Sequence, residues 1–339
     1  MDILLYVIAV LILLLALCAT IVAVQSRIIG RSVMATRAEV YMKVKRAFFT
    51  PRRARAELEG MKKRGETPYI LPVRQDNVKC DTRQYDSCGL QIYEFNPQGA
   101  AEVLYFYGGG YVHRPLKYHI KFLDKLARRC NCRVIMPVLP RAPYNTYKYC
   151  YERVEEFYLS LGNQSNLTLM GDSSGGGLAL GLCLKLKTEG KPLPKKLVLM
   201  APWVDLTMSN PEIPAYEKVD PRNSRWLAKL WGETWSGGDD LKNYQLSPIY
   251  GALNGLPPIV QYVGTRDILY PDCVLLHQKL QAAGVDSTFI EGRGLNHVYP
   301  VYPIPEARVA LFQIADDICG EDKPARASEG ETPVAQETV

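Results

Sequence analysis

Apolar and polar residues follow a repeating βα pattern through most of the chain. Short apolar runs of strand length alternate with longer stretches that have helical spacing, and the predicted strands are 103–107, 133–138, 167–170, 196–200, 258–263 and 287–291. The helical stretches begin near Lys117, Tyr147, Ser174, Pro271 and Pro305. Two alternating runs, 78–84 and 90–95, predict a β-hairpin before them. This order predicts an α/β protein with an antiparallel start and a doubly wound, mostly parallel sheet covered by helices on both faces.

The N-terminal pattern is different. Residues 3–24 contain no charged side chain and are mostly Leu, Ile, Val and Ala. At about 1.5 Å per residue, a helix of that length spans a hydrocarbon core. A cleaved signal peptide would have cations ahead of a shorter apolar run, whereas the only charged side chain ahead of this run is Asp2, so the pattern favours an uncleaved anchor. Because the cations follow the span, the positive-inside rule predicts a single-pass protein with its body in the cytoplasm.

Charge is concentrated just after this span. Of the 339 residues, positions 27–64 hold twelve Lys and Arg against three Glu, a net charge of +9, although the whole chain carries only +6. A basic segment beside an apolar span favours anionic membrane lipid, not nucleic acid, as the partner. The segment is predicted to be partly amphipathic helix interrupted at Pro51, and it either lies on the membrane surface or folds over the active site.

Composition divides the chain into segments. We expect a transmembrane anchor at 1–26, a basic juxtamembrane or cap segment at 27–66, an α/β domain at 67–319 and a polar, disordered tail at 320–339. Residues 205–255 break the βα rhythm and are rich in Pro, Trp and Asn, which predicts an inserted helical cap. Aromatic residues of this insertion either line a substrate pocket or form the core of the cap: Trp226, Trp231, Trp235 and Tyr250. The oligomeric state is open.

The strongest chemical motif is Gly171-Asp172-Ser173-Ser174-Gly175, between a predicted strand and a predicted helix. A G-x-S-x-G sequence in this setting forms a nucleophile elbow, in which a sharp turn lifts the serine clear of the sheet. Glycine is needed two positions to either side, where a Cβ would clash. The Ser174 amide then lies at a helix N-terminus and faces developing negative charge.

An activated serine needs a base and an acid, which follow it in the chain in this type of fold. Of four histidines, His297 follows the last predicted strand, in the position where strand ends deliver catalytic groups. The preferred acid is Asp267, just after strand 258–263 and thirty residues before His297. Asp272 is the rival acid, although capping of the following helix also explains it.

The triple glycine after strand 103–107 is the candidate oxyanion loop. Glycines let the backbone approach a substrate closely, and we expect the amides of Gly109, Gly110 and Ser174 to bind the oxyanion. The nine cysteines are scattered and match neither C-x-x-C nor zinc-site spacing. No metal or cofactor is expected.

Together these motifs resemble those of the hormone-sensitive-lipase family of α/β-hydrolases, which includes bacterial esterases and membrane-anchored arylacetamide deacetylases. The resemblance covers about residues 65–318 and rests on four segments: 171–176, 139–143, 202–207 and 264–269. It implies an α/β-hydrolase fold, hydrolysis of carboxylic esters without a cofactor, a cap built partly from N-terminal residues, and a triad of Ser173, Asp267 and His297. The family loop usually begins with His, where this chain has Tyr107.

The leading hypothesis is therefore a membrane-anchored serine carboxylesterase or deacetylase that acts on small or lipophilic esters through an acyl-enzyme. The alternative is a non-catalytic small-molecule receptor on the same fold, as in plant hormone receptors that resemble this family but have lost the base. The presence of His297 favours the enzyme.

Overall fold

An eight-stranded sheet forms the centre of the computed structural model, which describes residues 2–71 and 78–320. The strand order is β1-β2-β4-β3-β5-β6-β7-β8. The strands are β1 (Thr82–Ser87), β2 (Leu90–Phe95), β3 (Ala101–Phe106), β4 (Cys132–Pro137), β5 (Leu167–Asp172), β6 (Lys196–Met200), β7 (Ile259–Arg266) and β8 (Ser287–Asn296). β2 is antiparallel to β1 and β4, and the other neighbours are parallel. The predicted doubly wound, mostly parallel sheet is confirmed.

Helices connect the strands and cover both faces of the sheet. They are α1 (Asp2–Ile29), α2 (Val33–Ala47), α3 (Pro51–Arg64), α4 (Lys117–Cys130), α5 (Tyr147–Ser160), α6 (Ser174–Thr188), α7 (Ile213–Val219), α8 (Arg225–Ser236), α9 (Tyr270–Ala282) and α10 (Pro305–Cys319). α4 packs on α10, and α5 packs on α6. Since helices cover both faces, every residue of the central strand β5 is buried, which is why that strand has so little alternation in its sequence.

Two strands differ from their predicted bounds by four or five residues at one end, for local reasons. The hairpin turn lies at Cys88 and Gly89, whose positive φ angles of 52° and 71° fit a two-residue turn, so β1 continues to Ser87 and begins only at Thr82. β8 continues past the predicted end at position 291 to Asn296, because a register shift lets it stay paired with β7. His297 therefore follows the strand directly, without an intervening loop.

The N-terminal segment forms three helices. Within the described residues, Ile3–Ile29 is the stretch that is long and apolar enough to cross a membrane, and its side chains are largely exposed. α3 begins at Pro51, where the sequence predicts an interruption, and packs on α8. The Glu306 carboxylate at the start of α10 accepts hydrogen bonds from the Ser32 amide and hydroxyl, which fixes the start of α2 on the body. Of the predicted tail, only Gly320 is within the described residues.

The carboxyl ends of four parallel strands deliver the candidate chemistry to one edge of the sheet. The triple glycine follows β3, Ser173 follows β5, Asp267 follows β7 and His297 follows β8. Parallel strands end at the same edge, so residues far apart in sequence become neighbours there.

Candidate active site

Ser173 occupies the sharp turn between β5 and α6. Its φ of 52° and ψ of −124° are sparsely populated for a residue with a side chain. A Cβ added to Gly171 would lie 2.5 Å from the Gly175 carbonyl oxygen, and one added to Gly175 would lie 2.0 Å from the Phe106 carbonyl oxygen. The steric reason for both glycines, predicted from the sequence, is confirmed.

The structure brings Ser173, His297 and Asp267 into one hydrogen-bonded chain. Ser173 Oγ lies 2.9 Å from His297 Nε2, and His297 Nδ1 lies 2.7 Å from Asp267 Oδ2. The other carboxylate oxygen of Asp267 accepts the Leu269 amide at 2.9 Å, which holds the acid in its orientation. Asp267 is fully buried and His297 nearly so, which removes the competition of water for these bonds.

Charge around His297 favours its protonated form. Burial lowers the pKa of His297, but the Asp267 carboxylate, with a further contribution from Asp220, outweighs burial and raises the pKa above the ordinary value of 6.5. An imidazole in this setting is neutral at alkaline pH and well stabilised once it accepts a proton. That is the electrostatic requirement for a general base next to a hydroxyl nucleophile.

The rival acid and another histidine have partners elsewhere. Asp272 accepts a hydrogen bond from Asn210 Nδ2 at 2.9 Å, and its pKa is raised to about 7 by burial and the nearby Asp205 charge. His277 is on α9, and its Nδ1 lies 2.8 Å from the hydroxyl of Ser287 on β8. Neither residue belongs to the Ser173–His297–Asp267 chain.

The glycine loop after β3 lies beside the elbow, but its amides are not equivalent. The Gly109 amide donates to Ser174 Oγ at 3.1 Å, and the Tyr111 amide donates to the same oxygen at 3.3 Å. No acceptor among the described residues is recorded for the amides of Gly110 and Ser174. Of the three predicted oxyanion donors, the amides of Gly110 and Ser174 are thus available to a ligand. The Gly109 amide would have to break its hydrogen bond to the Ser174 hydroxyl before it could bind one.

A buried polar cluster supports this loop from below. Tyr107, at the position of the family His, accepts the Leu139 amide on its phenol oxygen at 3.0 Å. Asp172 accepts the Gly108 amide at 2.9 Å and the Tyr105 hydroxyl, and His119 Nε2 lies 3.4 Å from its other oxygen. Burial raises the pKa of Asp172, but His119 and these hydrogen bonds outweigh it and lower the pKa. His119 is a supporting residue that the sequence did not single out.

A buried ion-pair network connects the N-terminal helices to the ends of β7 and β8. Glu39 on α2 accepts two hydrogen bonds of 2.9 Å from Arg266, the residue before Asp267. Glu39 also pairs with Arg31 at 2.6 Å, and Arg31 donates to the Gly294 carbonyl at 2.8 Å. Burial would raise the pKa of Glu39, but Arg266, Lys43 and Arg31 lower it to about 2. The network joins the N-terminal segment to the strands that end beside Asp267 and His297.

We expect Glu39→Gln to destabilise the protein by about 3 kcal/mol at pH 7, because it leaves buried guanidinium groups without their counter-charge. Since the pKa of Glu39 is depressed in the folded state, its contribution is complete above the ordinary value of 4.5 and is lost as the pH falls towards 2. The difference in unfolding free energy between wild type and Glu39→Gln, measured with urea, should therefore shrink between pH 7 and pH 3. Glu59→Gln is the matched control, because Glu59 pairs with Lys62 on the exposed surface of α3. An equal effect of the two substitutions would contradict the prediction.

The loop before α8 is fixed to the same strand ends. The buried Asp220 carboxylate accepts the amides of Arg222 and Asn223 at 2.7 Å each and the amide of Ile268 at 2.9 Å. Burial and the neighbouring Asp267 charge raise the pKa of Asp220. Residues 220–223 have a turn-forming sequence, which could have indicated the hydrogen bonds of Asp220 within its own loop. Nothing in the sequence indicated that Asp220 would also bind the Ile268 amide.

A cavity opens beside Ser173 and His297. α8 contributes the apolar part of its lining, with Leu227, Ala228 and Trp231. Of the aromatic residues predicted either to line a pocket or to fill the cap, Trp231 faces this cavity, whereas Trp235 stacks on Tyr111 with ring centroids 4.6 Å apart. Trp231 therefore lines the pocket, whereas Trp235 is part of the buried core.

Comparisons with known proteins agree with this architecture. A family model described as alpha/beta hydrolase fold matches residues 103–301. An esterase from Acinetobacter venetianus is 30% identical over 256 residues, which cover 71% of this chain and 82% of the relative. An acetyl-hydrolase from Streptomyces hygroscopicus is 30% identical over 224 residues, covering 63% of this chain and 74% of the relative.

Solved structures agree as well. The crystal structure of an esterase from the bacterial hormone-sensitive lipase family superposes with a TM-score of 0.73 at 26% identity, covering 85% of this chain and 98% of that one. The family model spans more than half of the chain, and the Acinetobacter relative is matched over most of its length. The chain therefore belongs to the α/β-hydrolase family, in the group that resembles hormone-sensitive lipase, and it is a carboxylic ester hydrolase.

Proposed function

We propose that this protein is a serine carboxylesterase that cleaves small or lipophilic esters, acetyl esters among them, through an acyl-enzyme on Ser173. The observation that carries the proposal is the continuous hydrogen-bonded chain from Ser173 Oγ through His297 to Asp267. Ser173 lies on the elbow between β5 and α6 and contributes to the lining of the cavity. The esterase and acetyl-hydrolase relatives support the same reaction class.

Ser173 Oγ attacks the acyl carbon while His297 Nε2 takes the hydroxyl proton, and Asp267 stabilises the resulting imidazolium. The negative charge that develops on the carbonyl oxygen is bound by the Gly110 and Ser174 amides, with Gly109 joining when its amide turns away from the Ser174 hydroxyl. His297 then protonates the leaving alcohol. A water molecule, deprotonated by His297, attacks the acyl-enzyme, and His297 returns that proton to Ser173 Oγ as the carboxylic acid leaves.

Labelling with a fluorophosphonate probe tests the nucleophile directly. Such probes react only with a serine whose hydroxyl is activated by a base, so we expect a single phosphonylated peptide that contains Ser173. Mass spectrometry of the digested protein identifies the modified residue, and heat-unfolded protein is the control. Label on another serine, or no label on the folded protein, would overturn the proposal.

We further propose that α1 anchors the protein as a single-pass membrane protein with the catalytic body in the cytoplasm. The helix is long and apolar enough to span a bilayer, and the cations that follow it favour this orientation. Its C-terminal end is also part of the body, because Ser26 donates to Thr36 Oγ1 at 2.9 Å and Gly294 packs near Ile29.

Sealed membrane vesicles test the orientation. We expect the protein to resist extraction with alkaline carbonate and to be digested by protease added to the cytoplasmic face. Digestion is followed through a reporter fused to the C-terminus. Vesicles opened with detergent are the control, because the protease reaches both faces of the membrane in them. Release by carbonate would contradict the anchor, and protection from cytoplasmic protease would contradict the orientation.

The apolar anchor and the basic segment favour substrates that partition to the membrane surface. α2 and its C-cap residue present exposed apolar side chains next to the cations of the helix, which is the composition of a helix that lies at a lipid interface: Val33, Met34, Val40, Tyr41, Val44 and Phe48. The other face of α2 carries Glu39 and packs on the body near the candidate active site. An enzyme held at the bilayer surface in this way would meet esters that are dissolved there.

A further inference from the structure

A positively charged side chain projects into the active-site cavity without a carboxylate partner. Two arginines contribute to the cavity lining, Arg114 and Arg222. Arg114 donates to the Thr67 carbonyl and pairs with Glu66 at 3.5 Å. For Arg222, the recorded side-chain hydrogen bond runs from Nη1 to the Tyr302 hydroxyl at 2.8 Å. Among the described residues, no carboxylate lies within 4 Å of the Arg222 guanidinium.

The backbone of Arg222 is fixed to the catalytic edge of the sheet. The Asp220 carboxylate accepts the Arg222 amide at 2.7 Å and the Ile268 amide at 2.9 Å, and Ile268 follows Asp267 directly. Asp220 therefore uses its lone pairs on backbone amides instead of the guanidinium. Tyr302 also lines the cavity, so its hydroxyl orients the Arg222 side chain within it. The guanidinium is thus positioned by the fold rather than free on a loop.

Among the described residues, Arg222 has no direct ion-pair partner at the cavity, although Tyr302 and, from a distance, the Asp220 and Asp172 carboxylates raise its pKa. His113, another lining residue, is neutral near pH 7, because burial and the charges of Arg222 and Arg141 lower its pKa to about 4. Burial and the Arg222 charge also lower the pKa of His297, but the Asp267 and Asp220 carboxylates outweigh them. Arg222 is exposed to solvent in the cavity lining and can therefore receive an anionic ligand, and its planar donors suit a carboxylate or a phosphate.

We propose that Arg222 binds a negatively charged group of the substrate, so that the preferred esters carry a carboxylate or a phosphate group near the scissile bond. This inference rests on the proposed esterase function and adds a substrate class to it. The apolar lining from Leu227, Ala228 and Trp231 accommodates the uncharged part of the ester. An anion bound at Arg222 would satisfy donors that the protein itself leaves open.

Matched substrate pairs test the inference with the full-length enzyme. The first pair places the charge on the acyl side: mono-4-nitrophenyl glutarate against 4-nitrophenyl butyrate. The second places a phosphate on the alcohol side: 1-butyrylglycerol 3-phosphate against 1-butyrylglycerol. In at least one pair we expect wild type to prefer the anionic ester by about tenfold in kcat/KM, as a charge-assisted hydrogen bond provides. The pair that shows the preference identifies the source of the charge.

Variants at position 222 test whether Arg222 causes the preference for the anionic ester. We expect Arg222→Gln to lower the ratio of anionic to neutral kcat/KM about tenfold, mainly through KM, and Arg222→Lys to restore part of it. Arg222→Glu should reverse the selection and favour butyrylcholine over its neutral isostere 3,3-dimethylbutyl butyrate. Arg225→Gln is the matched control, because Arg225 is an exposed neighbour outside the cavity lining, and it should leave the ratios unchanged.

The outcomes separate the two proposals. If folded wild type hydrolyses the neutral esters and the ratios are the same in wild type and Arg222→Gln, the assignment of Arg222 is overturned while the esterase function stands. If folded wild type hydrolyses none of the esters and is not labelled by fluorophosphonate, the esterase mechanism itself is overturned, and the substrate class with it.

Discussion

Ser173→Ala is expected to lower kcat/KM for 4-nitrophenyl butyrate by about 10⁶-fold, the loss seen when the nucleophile of a serine hydrolase is removed. No other group in the Ser173–His297–Asp267 chain can form the acyl-enzyme, because His297 Nε2 is directed at the Ser173 oxygen and Asp267 is fully buried. The glycine-loop amides remain, so a small residual rate above that of water is expected. Steady-state kinetics and fluorophosphonate labelling measure the two consequences independently.

Stability separates a chemical effect from misfolding in this variant. The strained backbone of the elbow is set by the glycines at 171 and 175, and Ala tolerates it about as well as Ser, so the melting temperature should change little. Ser165→Ala is the matched control, because Ser165 is exposed and, within the described part of the chain, its hydroxyl donates to the Asn163 side chain. Retention of full activity by folded Ser173→Ala would refute the acyl-enzyme mechanism.

Asp267→Asn is expected to lower kcat about 10⁴-fold while leaving the fold intact, as the same change does in serine proteases. The Asp267 carboxylate accepts a hydrogen bond from His297 Nδ1, which leaves Nε2 free to accept the Ser173 proton. An amide at position 267 can donate to Nδ1 instead, and the ring proton then moves to Nε2 and blocks the base. The variant also removes the charge that stabilises the imidazolium.

The pH dependence gives this prediction a second readout. Protonated His297 cannot accept a proton, so activity falls as the pH decreases through its pKa, and the acid limb of the wild-type kcat/KM profile should lie above pH 6.5. In Asp267→Asn the residual activity should have its acid limb at lower pH, because the main cause of the raised pKa is gone. Asp272→Asn is the control for the rival acid. An equal loss of kcat in the two variants would contradict the assignment of Asp267.

Local motifs predicted much of the candidate site because its requirements are local. Gly171, Ser173 and Gly175 must lie within five residues of one another, since one tight turn creates the whole steric problem. The βα pattern then limited where a base and an acid could lie, because parallel strands end at one edge. With four histidines in the chain, His297 was the one at such a strand end.

Residues that act through long-range contacts had no comparable signal. Glu39 and Arg266 are 227 positions apart in the chain, and no sequence pattern around either residue indicates that the two form an ion pair. Ser174 shows that long-range contacts are hidden even within the motif. The sequence predicts its amide as an oxyanion donor, but it does not predict that its hydroxyl accepts a hydrogen bond from the Gly109 amide. Competition of this kind depends on distances between loops, which only packing sets.

The sequence alone determined the fold class, the apolar N-terminal helix, the elbow and the strand ends that supply Ser173, Asp267 and His297. Each of these follows from periodicity or from steric needs within a few residues. The tertiary structure decided how the N-terminal helices contact the strands, which aromatic ring faces the cavity and where Arg222 lies relative to Ser173. These features depend on how surfaces far apart in the chain pack together, and packing is a property of the whole fold.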